Sequence, residues 1–192
     1  MRVIAGSLKG RRLSAPAWEG LRPTSDKLRE TLFNIVAPRV VGARMLDGYA
    51  GTGAVGIEAL SRGAAHVTFV ERDPRAQALI KRNLAHCGVL NCCVIIGEDI
   101  AHALDALRGR PAFDLILLDP PYDEYHDSVI ALAANVLSPE GLLIVEHARR
   151  QPTPAAAGDV MSGVTSGVTC TVTRIRQVRS GDSALSLYSC QP

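Results

Sequence analysis

An open α/β domain with a mostly parallel sheet is the fold the 192-residue sequence predicts, and three observations carry it. From Arg44 to Val145, short apolar strands alternate with helical stretches, the pattern of a parallel sheet with helices on both faces. Phe113 to Leu118 (FDLILL) is a near-continuous apolar run, as expected of a strand buried on both sides. A glycine-rich turn, Asp47 to Gly56, joins the first strand of the alternation to its first helix. Apolar residues make up 47 % of the chain and aromatics only 4 %, so the core is built from Leu, Ile, Val and Ala.

The elements follow in order. Residues 2–13 (RVIAGSLKGRRL) mix short apolar pieces with Gly-Ser and Lys-Gly, which predicts a small β-hairpin or extended arm. Thr24 or Ser25 can cap a helix whose apolar stripe is Leu28, Leu32, Ile35 and Val36, stopping before Pro38. Met45-Leu46 leads into the glycine turn and a short helix through Leu60, and HVTFV (66–70) is a strand. Asp73-Pro74 caps and starts a helix with Ala76, Ile80 and Leu84 on one face and Gly88 at its end. Cys92 to Ile96 is a strand, Ile100 to Leu107 a helix, Val129 to Leu137 a helix and Leu142 to Val145 a strand. Residues 148–167 have no clean period and are a loop; TCTVTRIRQV and ALSLYS then flank a hairpin turn at Arg179 to Asp182.

No stretch reaches the roughly 20 apolar residues of a membrane span, and the N-terminus lacks the apolar region of a secretory signal. The five cysteines are therefore expected as reduced thiols in a cytoplasmic protein. The net charge of +2 is unevenly spread: residues 1–29 carry +5 and the rest −3. That asymmetry predicts a basic extension, residues 1–40, joined to a near-neutral catalytic body, residues 41–192.

The glycine turn reads Asp47-Gly48-Tyr49-Ala50-Gly51-Thr52-Gly53-Ala54-Val55-Gly56. Its glycines let backbone approach a ligand where a Cβ would clash. Glu71 lies 20 residues beyond Gly51, at the end of the second strand, where a carboxylate accepts both hydroxyls of an adenosine ribose. The motif alone fits a nicotinamide cofactor or S-adenosylmethionine. Asp47 tilts the choice, because a carboxylate beside the turn suits an ammonium and a sulfonium and suits a pyrophosphate poorly. Asp99, just past the third strand, either contacts the adenine amine or caps the next helix.

Asp119-Pro120-Pro121-Tyr122 follows FDLILL, at a strand's carboxyl end, where open α/β sheets bind ligands. An exocyclic amine on a nucleobase is a weak nucleophile, because its lone pair is delocalised into the ring. The Asp119 carboxylate and the Pro120 carbonyl can hold the two amine hydrogens and aim the nitrogen at a methyl group. Tyr122 offers a ring for the base to stack on, a contact worth about 1–3 kcal/mol. Asp119 serves as proton acceptor or only as an orienting group. The chemistry calls for no metal.

These segments resemble the RsmD-type guanine-N2 methyltransferases of bacterial small-subunit ribosomal RNA. MRVIAGSLKGRRL is similar to that family's opening, LRPTSDKLRETLFNIV to its following helix, DGYAGTGAVGIEALSRGAAHVTFVERD to its cofactor segment and FDLILLDPPY to its catalytic one. LLIVEH and RSGDSALSLY fit as well. The resemblance implies a Rossmann-like class I methyltransferase fold, a mostly parallel seven-stranded sheet with an antiparallel C-terminal hairpin, behind an N-terminal hairpin and helix. It implies that Asp47, Gly51, Gly53 and Glu71 serve S-adenosylmethionine, whose product is S-adenosylhomocysteine; Tyr49 and Thr52 of the same turn, and Asp99 unless it caps the helix, are candidates beside them. Asp119, Pro120, Pro121 and Tyr122 then hold the guanine amine of 16S ribosomal RNA, alone or within a small-subunit particle. Arg2, Lys9, Arg11, Arg12 and Arg22 become phosphate contacts. The chain departs from the family at Gly48-Tyr49, where a bulky apolar residue followed by an aromatic is expected, and in the sparse 148–167 stretch.

His86, Cys87, Cys92 and Cys93 match no zinc spacing. His147 is expected to be a structural strand-end residue, Trp18 a packing residue, and Arg149-Arg150 a solvated pair, with addition to an RNA surface as the alternative. The competing functions are an adenine-N6 methyltransferase on DNA or RNA, a nicotinamide-dependent oxidoreductase, and a non-catalytic RNA-binding assembly factor. The first has no room for a separate target-recognition domain, and the second leaves Asp119 to Tyr122 unexplained. Nothing in the sequence demands more than a monomer.

Overall fold

The structure, a computed structural model, describes residues 1–18, 24–110, 112–121, 127–158 and 170–190. The chain divides into two compact units, Met1–Ile100 and Ala101–Pro192.

In the first unit β1 (Arg44–Gly48), β2 (His66–Val70) and β3 (Cys93–Ile96) run parallel in the order β3-β2-β1. Asp47 pairs with Phe69 and Gly48 with Val70, so the glycine turn and Glu71 leave the sheet at the same carboxyl edge. Helix α1 (Asp26–Val40) starts as expected, with the Ser25 hydroxyl accepting from the Leu28 N–H at 3.2 Å. It does not stop before Pro38 but runs through it to Val40. The proline removes one hydrogen bond in the last turn, and the fully buried Val40 holds that turn against the core. Its buried face is Leu28, Arg29, Leu32, Phe33, Val36 and Val40, so Ile35 is only half-buried.

Helix α2 (Ala54–Ser61) is buried along its whole length, Glu58 included. The Glu58 carboxylate is the anchor of the N-terminal arm: Oε2 accepts from the Ile4 N–H at 2.7 Å and Oε1 from the Ala5 N–H at 2.9 Å. Arg62 donates to the same carboxylate at 2.7 Å, which pairs the buried charge. Ser61 adds a bond from its hydroxyl to the Ala5 carbonyl and one from the Leu8 N–H to its hydroxyl. The arm itself is hairpin-like, closed by an antiparallel bridge between Arg2 and Arg12. Helix α3 (Pro74–Cys87) has the predicted Asp73 cap, with Pro74 first and Gly88 at its end. Cys92 lies in a short 3₁₀ turn (Leu90–Cys92) and not in β3, where it was expected. Among the described residues no His, Cys, Asp and Glu gather as a metal-holding group.

Helix α4 (Ile100–Ala106) leads into the second unit, where β4 (Phe113–Leu118) pairs parallel with β5 (Leu137–Ala148). Helix α5 (Asp127–Ala134) lies between them in sequence. Leu137, expected in that helix, opens β5 instead, because Phe113 pairs with Leu137 and the Phe113 N–H donates to the Val136 carbonyl at 2.9 Å. Beyond β5 the sheet is antiparallel, continuing through β8 (Ser183–Cys190) and β7 (Val172–Ser180) to β6 (Ala156–Ala157). β7 (Val172–Ser180) and β8 (Ser183–Cys190) form the predicted hairpin around Gly181 and Asp182. The two-residue β6 (Ala156–Ala157) makes eight strands among the described residues where seven were expected; it lies in the stretch expected to be loop. Cys170 and Cys190 form a disulfide, which corrects the expectation of five reduced thiols. Val172 pairs with Cys190, so the hairpin register carries Cys170, two residues before β7, to the end of β8. No helix among the described residues is long and apolar enough to cross a membrane.

Candidate active site

In the first unit the turn after β1 is held by carboxylates. Tyr49, Gly51 and Gly53 all have positive φ, at 64°, 56° and 74°. A non-glycine residue in that region is uncommon, and such strained residues concentrate at ligand-binding sites. Asp47 is 2 % exposed, and its Oδ2 accepts from the Gly56 N–H in the first turn of α2 at 2.9 Å. Because Gly53, at the helix cap, has no side chain to accept a bond, Asp47 does that work from the preceding strand.

Glu71 closes the turn from the other side. Its Oε2 accepts from the Gly51 N–H and its Oε1 from the Asp73 N–H, both at 2.8 Å. An ionised carboxylate offers about four acceptor sites. Two are taken by backbone, which orients the group and leaves capacity for two hydroxyls. The set fits a cofactor carrying a ribose and a cationic end: a pre-oriented carboxylate at the tip of β2, a buried one at the tip of β1, and a turn with two positive-φ glycines between them.

Thr52 is nearly buried, and its hydroxyl donates to the Met1 thioether at 3.6 Å. Its carbonyl accepts from the Asn83 amide at 3.1 Å. Asn83, 1 % exposed on α3, also bonds both backbone groups of Ser14, so it ties the arm and the glycine turn to one helix. Asp99 is half-buried directly before α4.

The basic residues of the arm are exposed. Arg2 and Lys9 line a groove of about 420 Å³ with Gly10, Asp26, Lys27 and Glu30. Arg11 instead donates to the His86 carbonyl at 2.9 Å, and Arg12 bridges to Arg2 through backbone. Arg22 lies outside the described residues. Trp18 is half-buried under the Arg75 guanidinium, 5.2 Å from the ring centre.

In the second unit Asp119 and Pro120 emerge from β4, the first half-buried and the second buried, while Pro121 is exposed. Tyr122 lies outside the described residues. His147 has the structural strand-end role expected of it, in a cluster whose other members had no signal in the sequence. His147 is fully buried near the end of β5, with Nδ1 2.9 Å from the Ala148 carbonyl and Nε2 2.9 Å from the Ser186 hydroxyl. A carbonyl only accepts, so Nδ1 carries the proton and Nε2 accepts from Ser186. Thr153 bonds Ser186 at 3.1 Å, and Arg174 donates to the Thr153 carbonyl at 2.8 Å and to its hydroxyl. The Tyr188 hydroxyl donates to the Pro154 carbonyl at 3.0 Å. Together these bonds fasten the segment after β5 to β7 and β8.

Burial, with the nearby Arg174 charge, holds the His147 ring below the ordinary histidine pKa; the bond to Ala148 opposes but does not reverse this. The unfolded chain therefore binds the proton more readily than the folded one. Stability is full above the unfolded value of about 6.5 and is lost as pH falls below it. His147→Gln is expected to flatten the fall of the thermal midpoint between about pH 6.5 and pH 5. Equal slopes in the two proteins would show that His147 does not resist protonation.

Comparison with known proteins identifies the family. A family model described as "Conserved hypothetical protein 95" matches residues 1–173. The chain is 40% identical over 165 residues to the "Putative rRNA methyltransferase YlbH" of Bacillus subtilis, covering 84% of this chain and 90% of that one. It is 38% identical over 159 residues to the "Ribosomal RNA small subunit methyltransferase D" of Haemophilus influenzae, covering 79% and 81%. The solved structure of the "Putative methyltransferase yhhF" of Escherichia coli matches with a TM-score of 0.79 at 31% identity, over 100% of this chain and 98% of that one. A match running from residue 1 to residue 173 places the chain in the family described as Conserved hypothetical protein 95, the RsmD-type methyltransferases, with their Rossmann-like class I fold.

Proposed function

We propose that this chain transfers a methyl group from S-adenosylmethionine to the exocyclic N2 amine of a guanine in small-subunit ribosomal RNA. The observation that carries the reading is the Asp119-Pro120-Pro121 run at the carboxyl end of the buried strand β4. The names of the relatives, which include ribosomal RNA methyltransferases, support the substrate class. The cofactor supplies a methyl group already activated on a sulfonium and leaves as S-adenosylhomocysteine.

The protein's part is positioning and charge placement. Glu71 accepts the ribose hydroxyls with its remaining acceptor capacity. Asp47 adds negative charge beside the turn, and Tyr49, Gly51, Thr52 and Gly53 give the backbone surface. Asp99 receives the adenine amine. The Asp119 carboxylate and the Pro120 carbonyl accept the two hydrogens of the guanine amine, which turns the nitrogen lone pair out of the ring. Tyr122 stacks on the base. Residues 1–40 form the RNA-contacting extension of a monomeric, cytoplasmic enzyme, with Arg2, Lys9, Arg11, Arg12 and Arg22 on phosphates.

The test is transfer from labelled S-adenosylmethionine to small-subunit particles from a strain lacking this protein, with the nucleoside identified by mass spectrometry. N2-methylguanosine is the expected product. N6-methyladenosine would overturn the substrate while keeping the chemistry. No transfer to particles, RNA or DNA, despite cofactor binding, would favour a non-catalytic assembly factor.

A further inference from the structure

We infer that Arg149, Arg150 and Arg179 form a second RNA-backbone contact, on the rim from which the Asp119 loop emerges. The inference rests on the RNA reading above and assigns a surface to the second unit, whose substrate contacts otherwise end at Tyr122.

The strand registers bring the three together. Leu118 of β4 pairs with Val145 of the parallel β5, so Asp119 to Pro121 leave the sheet at the edge where β5 ends at Ala148. Arg149 and Arg150 are the next two residues. Antiparallel pairing of Ala148 with Ser183 puts the start of β8 at that same edge. Arg179 pairs with Ala184, so the β7–β8 tip lies there as well. Neighbouring strands are about 4.8 Å apart, so the rim from β4 to β7 spans about 14 Å. A strand of nucleic acid carries one phosphate per nucleotide, so a base held at Asp119 has flanking phosphates within that span.

The rim is built to present charge. Arg149, Arg150 and Arg179 are exposed, and none of the three takes part in an ion pair among the described residues. The turn that carries the first two is fixed: the Arg149 N–H donates to the Asp182 carbonyl at 2.8 Å and the Gln151 N–H to the Ala148 carbonyl at 2.9 Å. The buried His147–Ser186–Thr153 chain holds the same segment from beneath. Asp182 at the tip and Asp119 itself are acidic, so these five residues carry a net charge of +1, with the three arginines flanking the Asp119 position. Protection of an open sheet edge accounts for Arg176, exposed in the middle of β7. It does not account for Arg149 and Arg150, which follow the interior strand β5.

The experiment compares wild type with R149A/R150A/R179A on small-subunit particles lacking the modification. It measures particle affinity from 50 to 200 mM KCl, KM for particles, affinity for S-adenosylmethionine and the thermal midpoint. Arg110→Ala is the control, an exposed arginine just before β4 and so at the opposite edge. Each lost phosphate contact lowers the salt slope by about 0.7 on single strands, so the triple variant should lose about 2 from the slope. Its KM for particles should rise about 10- to 100-fold at 0.1 M salt, with cofactor affinity and thermal midpoint unchanged. R149K/R150K/R179K, which keeps the charge, should stay within a few-fold of wild type.

A triple alanine variant within two-fold of wild type, at an unchanged slope, overturns the inference and leaves the RNA reading standing. An equal loss in Arg110→Ala overturns it too, because the effect would then be diffuse charge. Wild-type protein that neither binds nor methylates the particles overturns both.

Discussion

Asp119→Ala is expected to lower the rate of methyl transfer at saturating substrate by about 10²–10³-fold, the cost of removing one pre-placed polar group, about 2.7–4 kcal/mol. Affinity for S-adenosylmethionine should stay near the wild-type value, because Asp47, Glu71 and the glycine turn, which are assigned to the cofactor, are all unchanged. The effect is large for a physical reason. The amine nitrogen gains nucleophilicity only as its hydrogens are drawn out of the base plane, and Asp119 supplies one of the two acceptors. Pro120 supplies the other through backbone, which no substitution at 119 removes. Asp119→Asn separates the two roles left open for the carboxylate. An amide oxygen still accepts a hydrogen bond but cannot take a proton. Activity within about tenfold of wild type in Asp119→Asn would assign orientation. Activity as low as in Asp119→Ala would assign charge or proton acceptance. The measurement is single-turnover transfer on particles, with cofactor binding followed by calorimetry. A rate within a few-fold of wild type in Asp119→Ala would sink the assignment.

What was legible in the chain was what is written locally. The parallel alternation, the caps at Ser25 and Asp73, the glycine turn, and the carboxylate 20 residues beyond it all sit in short windows of sequence. The interactions that leave no local mark join residues far apart. Asn83 meets Ser14 across 69 positions, Glu58 meets Ile4 across 54, and His147 meets Ser186 across 39. No local period records such pairs. One did leave a trace: Glu58 stands alone in the otherwise apolar run AVGIEALS, and a lone carboxylate on a buried helix requires partners. Arg29 is similar, fully buried in α1 with Nη2 on the Arg2 carbonyl and on Asp26. The shifted element boundaries have the same origin. Pro38 is a strong local stop signal, and Val40 overrides it through tertiary contact. Leu137 fits a helix stripe by period and a strand by pairing, and the pairing prevails. The sequence alone sets Asp47 beside a cofactor; in the folded turn at least one of its oxygens holds the Gly56 N–H.

Gly56→Ala should destabilise the protein, although alanine is the better helix former by about 1 kcal/mol. Gly56 lies inside α2 and carries no positive φ, so backbone freedom is not why glycine stands there. Close packing is. A Cβ at this position would lie 2.2 Å from Cε1 and 2.5 Å from Cζ of Phe69, and 2.8 Å from a methyl of Val67. Both belong to β2 and are fully buried, so the ring has nowhere to swing. The helix must move off the sheet, at an overpacking cost of about 1–3 kcal/mol or somewhat more. At about 2–4 °C per kcal/mol for a chain of this length, the thermal midpoint should fall by about 3–10 °C. Function should suffer as well. The Gly56 N–H is the group that Asp47 holds, and a shift of α2 pulls the turn between them, which lowers cofactor affinity. Adding Phe69→Leu makes room for the new methyl and should recover part of the lost midpoint, whereas alone it opens a cavity and destabilises. That reversal of sign distinguishes packing from any general weakness of the helix. A midpoint that rises in Gly56→Ala would mean that helix propensity outweighs the contact with Phe69, and that α2 is free to shift on the sheet.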